Sequence, residues 1–168
     1  MLTLLKNEIN RKKALVKPER DDELLRLHRM LKREIKEKFS SHLKLYIIDT
    51  GSCSACELEL QSLFNPLYDI SKVGVEVVYE IVEADILLVT GVITENMYGE
   101  LSSIYKKLKD PKHLILIGDC PIGEAIFKNT FAIKGYRKQE FLNGYSIGGC
   151  PPDPRLLLRG LLKYLESI

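Results

Sequence analysis

Leu43-Lys44-Leu45-Tyr46-Ile47-Ile48-Asp49-Thr50-Gly51-Ser52-Cys53-Ser54-Ala55-Cys56-Glu57 sets the architecture of this 168-residue chain. Residues 43–48 read as a β-strand, a cysteine pair follows its carboxyl end, and residues 57–64 continue as a helix closed by Asn65-Pro66. The alternation recurs downstream. Residues 75–79 alternate and predict a second strand, and residues 86–89 are apolar throughout, as in a strand covered on both faces. Residues 94–108 then carry Met97, Leu101, Ile104, Tyr105 and Leu108 at helical core spacing. Residues 113–117 read as another buried strand with Cys120 just beyond it, and a short helix is expected over 123–131.

The chain end is the most legible part. Asp153 fits an N-cap and Pro154 a first helical residue. Leu157, Leu158, Leu161, Leu162, Leu165 and Ile168 then mark one face, and Arg155, Arg159, Lys163 and Glu166 the other. Strands alternating with helices predict an α/β fold: a doubly wound, mostly parallel, flavodoxin-like sheet with an N-terminal helical extension. In such sheets ligands gather beyond the carboxyl ends of the strands. All four cysteines, Cys53, Cys56, Cys120 and Cys150, stand just beyond runs that read as strands.

Two regions are expected: a basic helical arm over residues 1–42 and the α/β domain over 43–168. The arm holds 12 Lys and Arg against 7 Asp and Glu, whereas the remainder is net negative, so the arm is suited to a negatively charged partner subunit or lipid surface. Within it, Asp21-Asp22-Glu23 suits a helix N-terminus. Leu24, Leu27, Leu31 and Ile35 form a stripe that must dock on the body or on a partner; a partner is the expectation. His28 falls on this stripe and reads as a packing residue.

Composition excludes several classes. The longest apolar runs, such as Ile86-Leu87-Leu88-Val89, fall far short of the ~20 residues of a membrane helix. Lys6, Glu8 and Arg11 interrupt the apolar start before a signal sequence could form, which predicts a cytosolic location with no bilayer segment. Four cysteines in a reducing compartment point to metal or redox chemistry rather than disulfides. The basic arm lacks interleaved aromatics, so nucleic acid is not an expected partner. No Ser/His/Asp set appears, and His28, His42 and His113 lie outside the cysteine loops.

Three chemistries use such cysteines. A strand followed by C-x-x-C and a helix suits a dithiol redox site, but leaves Cys120 and Cys150 idle. Structural zinc usually takes two close pairs, whereas here one pair is joined by two singletons. An iron–sulfur cluster takes four thiolates and tolerates scattered donors. Gly51, Gly118, Gly148 and Gly149 clear space beside the cysteines, and Pro151 and Pro152 stiffen the last loop, which favours the cluster.

From about Leu43 onward the chain resembles the 20-kDa iron–sulfur subunit of respiratory complex I. It is more similar still to the small subunits of membrane-bound hydrogenases and the related sulfane sulfur reductase complexes. The resemblance rests on Thr50-Gly51-Ser52-Cys53-Ser54-Ala55-Cys56, on Gly118-Asp119-Cys120, and on Gly149-Cys150-Pro151-Pro152-Asp153-Pro154. It implies that Cys53, Cys56, Cys120 and Cys150 hold one 4Fe–4S cluster, the last in an electron wire. It implies a place on the cytoplasmic face of the membrane. The partners it implies are a large catalytic subunit of NiFe or related type, a ferredoxin-like subunit with two 4Fe–4S clusters, and membrane ion-pumping subunits. Glu59 occupies a carboxylate position of the pattern, which serves either helix solvation or a tuning or proton role. Two departures stand out. Pro121-Ile122-Gly123-Glu124-Ala125 replaces a Ser-Gly-Gly run, and Ile147-Gly148 stands where a Pro is common. The added charge of Glu124 is expected to lower the cluster's potential.

Overall fold

The computed structural model describes residues 21–123, 130–134 and 144–168. The described elements are helix α1 (Asp22–Lys38), β1 (Leu43–Asp49), α2 (Ala55–Ser62), β2 (Val75–Val77), β3 (Ile86–Thr90), α3 (Glu95–Lys107), β4 (His113–Ile117), β5 (Tyr145–Ile147) and α4 (Pro154–Ser167). Residues 124–129 of the helix expected over 123–131, and all of residues 1–20, lie outside the described residues.

The strands form one sheet in the order β2-β1-β3-β4-β5, and every pairing is parallel. Strand period divides the core in two. Ile86 and Leu88 of β3 and Ile115 and Ile117 of β4 face the side covered by α2 and α4. Leu87, Val89, Leu114 and Leu116 face Leu101 and Ile104 of α3. The sheet is thus wound on both faces, and its centre, β3, is wholly buried. Strand β2 is shorter than residues 75–79 suggest: it ends at Val77, a last Val78 N–H donates to Leu45 O of β1 (2.9 Å), and Tyr79 is 88% exposed.

Helix α4 forms as its sequence dictates. Asp153 accepts from the backbone N–H groups of Arg155 (2.9 Å) and Leu156 (3.0 Å), with Pro154 at the first turn. Leu157, Leu158, Leu161, Leu162 and Leu165 are buried, but Ile168, expected on that face, is exposed.

Helix α1 corrects an expectation. Its stripe of Leu24, Leu27, Leu31 and Ile35 is buried in this chain's own core rather than waiting for a partner. The physical reason is α4, whose apolar face is broad enough to serve both the sheet and α1. Each large side chain so buried contributes about 1.5–3 kcal/mol. Asp21 caps α1 by accepting from Leu24 N–H (3.0 Å) and also pairs with Arg155, while Glu23 pairs with Arg155 and Arg159 across the helix interface. What α1 leaves outward is mostly basic: Arg26, Arg29, Lys32, Arg33, Lys36 and Lys38 are exposed, with Asp22, Glu23, Leu25 and Glu37 among them.

Candidate functional site

Because β1, β4 and β5 run parallel, their carboxyl ends share one edge of the sheet, and the chain supplies Cys53 and Cys56 after β1, Cys120 after β4 and Cys150 after β5. The first loop is held by short polar contacts. Asp49 Oδ1 accepts from Gly51 N–H (2.8 Å) and Ser52 N–H (2.7 Å), and Thr50 Oγ1 donates to Thr90 O (2.8 Å) at the end of β3. Thr94 Oγ1 donates to Thr50 O (2.9 Å), tying the loop to the start of α3.

The two later loops are stitched to each other. Gly118 N–H donates to Ile147 O (2.8 Å), Asp119 N–H to Gly149 O (3.0 Å), and Gly149 N–H to Asp119 Oδ1 (2.7 Å). Asp119 is therefore the residue that fixes the Cys150 loop against the Cys120 loop. Gly118 has φ +89°, and a Cβ there would stand 2.8 Å from Cys56 Sγ. The β4 loop thus passes directly over the second cysteine, where only glycine leaves room. Gly149, at φ +132°, meets the same limit against Pro152.

The structure brings the four thiols into one electrostatic neighbourhood. Cys56 is buried, Cys120 half-buried, and Cys53 and Cys150 exposed. Burial first, then the charges of Glu57, Cys120, Cys53 and Cys150, pushes the Cys56 thiol up to about 12. Burial and then Cys150 and Cys53 push Cys120 up as well. Among the described residues, no three or more His, Cys, Asp or Glu side chains form a group that could hold a metal ion. A zinc ion needs its sulfurs about 2.3 Å from one centre. A 4Fe–4S cube takes one thiolate at each of its irons and keeps the four apart.

Of the carboxylates expected near the cysteines, Glu59 is half-buried on α2, and Glu124 lies outside the described residues. The carboxylates that act on the Cys56 and Cys120 thiols are Glu57 and Asp119, neither of which sequence reasoning singled out. For Glu57 the signal was present in helical phase: with Cys56 and Leu60 facing the core, Glu57, Gln61 and Phe64 fall together on the adjoining flank. The histidines are elsewhere. His28 makes a hydrogen bond with the Tyr68 backbone and burial holds its pKa low, while His113 Nδ1 lies 2.8 Å from Tyr164 OH and edge-on to Phe39.

Comparison with known proteins identifies the family. Residues 53–164 match the family described as NADH ubiquinone oxidoreductase, 20 kDa subunit. A probable membrane-bound hydrogenase subunit of Pyrococcus furiosus is 32% identical over 124 residues, covering 74% of each chain. A subunit of the NADH-quinone oxidoreductase of Bdellovibrio bacteriovorus is 31% identical over 116 residues, 68% of this chain and 62% of that one. In fold, the chain is similar to a solved chain from the structure of the membrane-bound sulfane sulfur reductase, an archaeal respiratory membrane complex. The TM-score is 0.62 at 23% identity, over 82% of this chain and 74% of that one. The chain belongs to the NADH ubiquinone oxidoreductase 20 kDa subunit family.

Proposed function

On the premise of that membership, we propose that this chain is the electron-transfer subunit of a membrane-bound respiratory oxidoreductase complex, with Cys53, Cys56, Cys120 and Cys150 as ligands of a single terminal 4Fe–4S cluster. When bound, such a cluster supplies one-electron transfer at a potential set by charge, hydrogen bonding and exposure. The observation that carries the reading is the placement of all four cysteines beyond the carboxyl ends of parallel strands on one sheet edge, under a glycine that leaves Cys56 Sγ its space. The residues around them have separable tasks. Asp49, Thr50 and Thr94 hold the first loop in place, and Asp119 locks the Cys150 loop to the Cys120 loop. Cys56, buried against Leu60 and the sheet, supplies the anchored end, while Cys53 and Cys150 face outward, toward where a neighbouring subunit would receive or deliver the electron.

The further parts of the reading are what the family resemblance implies. A large catalytic subunit of NiFe or related type faces the cysteine edge, a ferredoxin-like subunit with two 4Fe–4S clusters exchanges electrons on the other side, and membrane partners couple the chemistry to ion pumping. No helix among the described residues is long and apolar enough to cross a membrane, and attachment at the cytoplasmic face is assigned in this reading to those partners. The outward basic face of α1, Arg26 to Lys36, is the part of residues 1–42 offered to them.

Iron and sulfide analysis with EPR of the reduced, anaerobically isolated complex tests this. About four irons assigned to this chain, with a cubane signal lost or converted in Cys120→Ser, is the expected result. An unchanged cluster signal in that variant overturns the ligand set, and zinc without iron overturns the electron wire.

A further inference from the structure

Strand β1 is longer than the neighbour that covers one of its sides. It spans seven residues, Leu43–Asp49. Toward β3 it is paired from Leu45 to Asp49, but toward β2 only Leu43, Lys44 and Leu45 have partners. In a parallel ladder, successive residues turn their N–H and C=O groups to opposite sides. Thr50 N–H donates to Thr90 O (3.0 Å), so the even-numbered residues serve β3. Leu43 N–H donates to Gly74 O (2.8 Å) and Leu45 O accepts from Val78 N–H (2.9 Å), so the odd-numbered ones serve β2. The backbone groups of Ile47 and Asp49 therefore face the side that β2 has left, with no backbone partner there among the described residues.

The space beside this open half of β1 is a cleft of about 380 Å³. Ile47, Leu60 and Phe64, which pack on the α2 side of the sheet, form one wall, and Tyr46 and Val78, of the α3 layer, form the other. Strand edges left bare are usually guarded by Lys or Pro. Tyr46-Ile47-Ile48-Asp49 carries neither, and Tyr79 and Val82 (60% exposed) stand in solvent just beyond the end of β2. The exposed charges on that side, Glu76 and Glu80, are acidic. Donors and acceptors at strand spacing take an extended backbone, because a helix has already spent its own N–H and C=O groups.

We infer that an extended, basic segment of a neighbouring protein subunit adds to the sheet here, bonding to Ile47 and Asp49 along the line that β2 leaves at Val77. Alternate side chains of the segment enter the two walls, an apolar one packing on Leu60 and Phe64. A cationic one meets Glu76 or Glu80. The inference rests on the reading of the chain as a subunit of a complex. It extends the docking surface beyond the cysteine loops, to the β2 side of the sheet.

The test is backbone hydrogen exchange, resolved to single residues, on the isolated full-length chain and on the native complex purified through a tag on a partner subunit. The Ile47 and Asp49 amides exchange fast in the isolated chain and slow by about tenfold or more in the complex, while Tyr46 and Ile48, already bonded to β3, change little. A second arm reads how much of this chain stays on the tagged complex through washes of rising salt. Glu76→Lys combined with Glu80→Lys cuts that retention about tenfold, with the thermal midpoint of the isolated chain unchanged. Equal exchange of Ile47 and Asp49 in the two states overturns the inference. So does slow exchange in the isolated chain that deleting residues 1–20 releases, because the chain's own arm then fills the edge. Wild-type retention of the charge-reversed chain overturns the basic segment. Wild-type chain that never co-purifies with oxidoreductase subunits overturns the complex reading instead, which keeps the two failures apart.

Discussion

Helices α2 and α4 both begin within a few residues of a cysteine, yet they are built by opposite rules. α4 starts on Asp153, whose carboxylate takes two backbone N–H groups, and lays five buried leucines along the core. α2 spans only Ala55–Ser62, starts on Ser54 in a left-handed conformation (φ +67°) with no side-chain cap bond, and carries Glu57, whose sealed carboxylate oxygens have no hydrogen-bond partner among the described residues. One helix is finished by its own chain. The other leaves N–H groups and a thiol unspent, which is how a segment is built when its remaining partners come from outside.

The comparison breaks most visibly if α4 proves dispensable. Leu158 is fully buried between α4 and the sheet, and Leu158→Ala is expected to cost about 3 kcal/mol of folding stability. Denaturant unfolding of the isolated chain measures it, with the iron bound per folded chain unchanged. A loss well under 1 kcal/mol would mean that α4 is not the anchor described here.

The next effects are smaller and of opposite sign. Asp153→Ala removes a working cap and should destabilise by about 1 kcal/mol. Ser54→Gly removes no cap bond and relieves a left-handed backbone that a side chain disfavours, so the metal-free chain should gain about 1 kcal/mol. The same pair of thermal melts reads both. If Ser54→Gly destabilises, α2 has a cap that its geometry does not display.

The contrast also explains what was legible in the sequence. Capping, stripe and direction of α4 could be read because Asp153, Pro154 and the leucines satisfy each other locally. The sheet was legible because apolar runs of strand length alternate with helical spacing, and a parallel sheet then fixes which edge receives the cysteine loops. Three features were not. The stripe of α1 looked like a partner's surface because nothing in residues 22–38 says that α4 has apolar area to spare; that is a property of two helices together. Ile168 continued the α4 stripe in phase, but the helix ends there. Glu57 hid beside Glu59 because two acidic residues on a short helix read as solvated until packing shows which of them is sealed.

The smallest expected effect lies where α1 meets α4, and its sign follows from charge. The α1 backbone and Arg155 hold Asp21 below its ordinary 3.8, and Arg159 holds Glu23 below its ordinary 4.5. A carboxyl whose folded pKa is depressed gives up stability as acid protonates it, because the unfolded chain takes the proton first. The contribution is complete above about pH 5.5, where both groups are ionised in either state, and fades as pH falls below their ordinary values. Both pairs are exposed, so salt weakens them and the effect is modest. Melts of wild type and Arg155→Ala from pH 7 to pH 3 should therefore start apart and converge as acid is added. Curves that stay parallel would mean that Arg155 acts by packing along α1, and that α1 is held by its leucines alone.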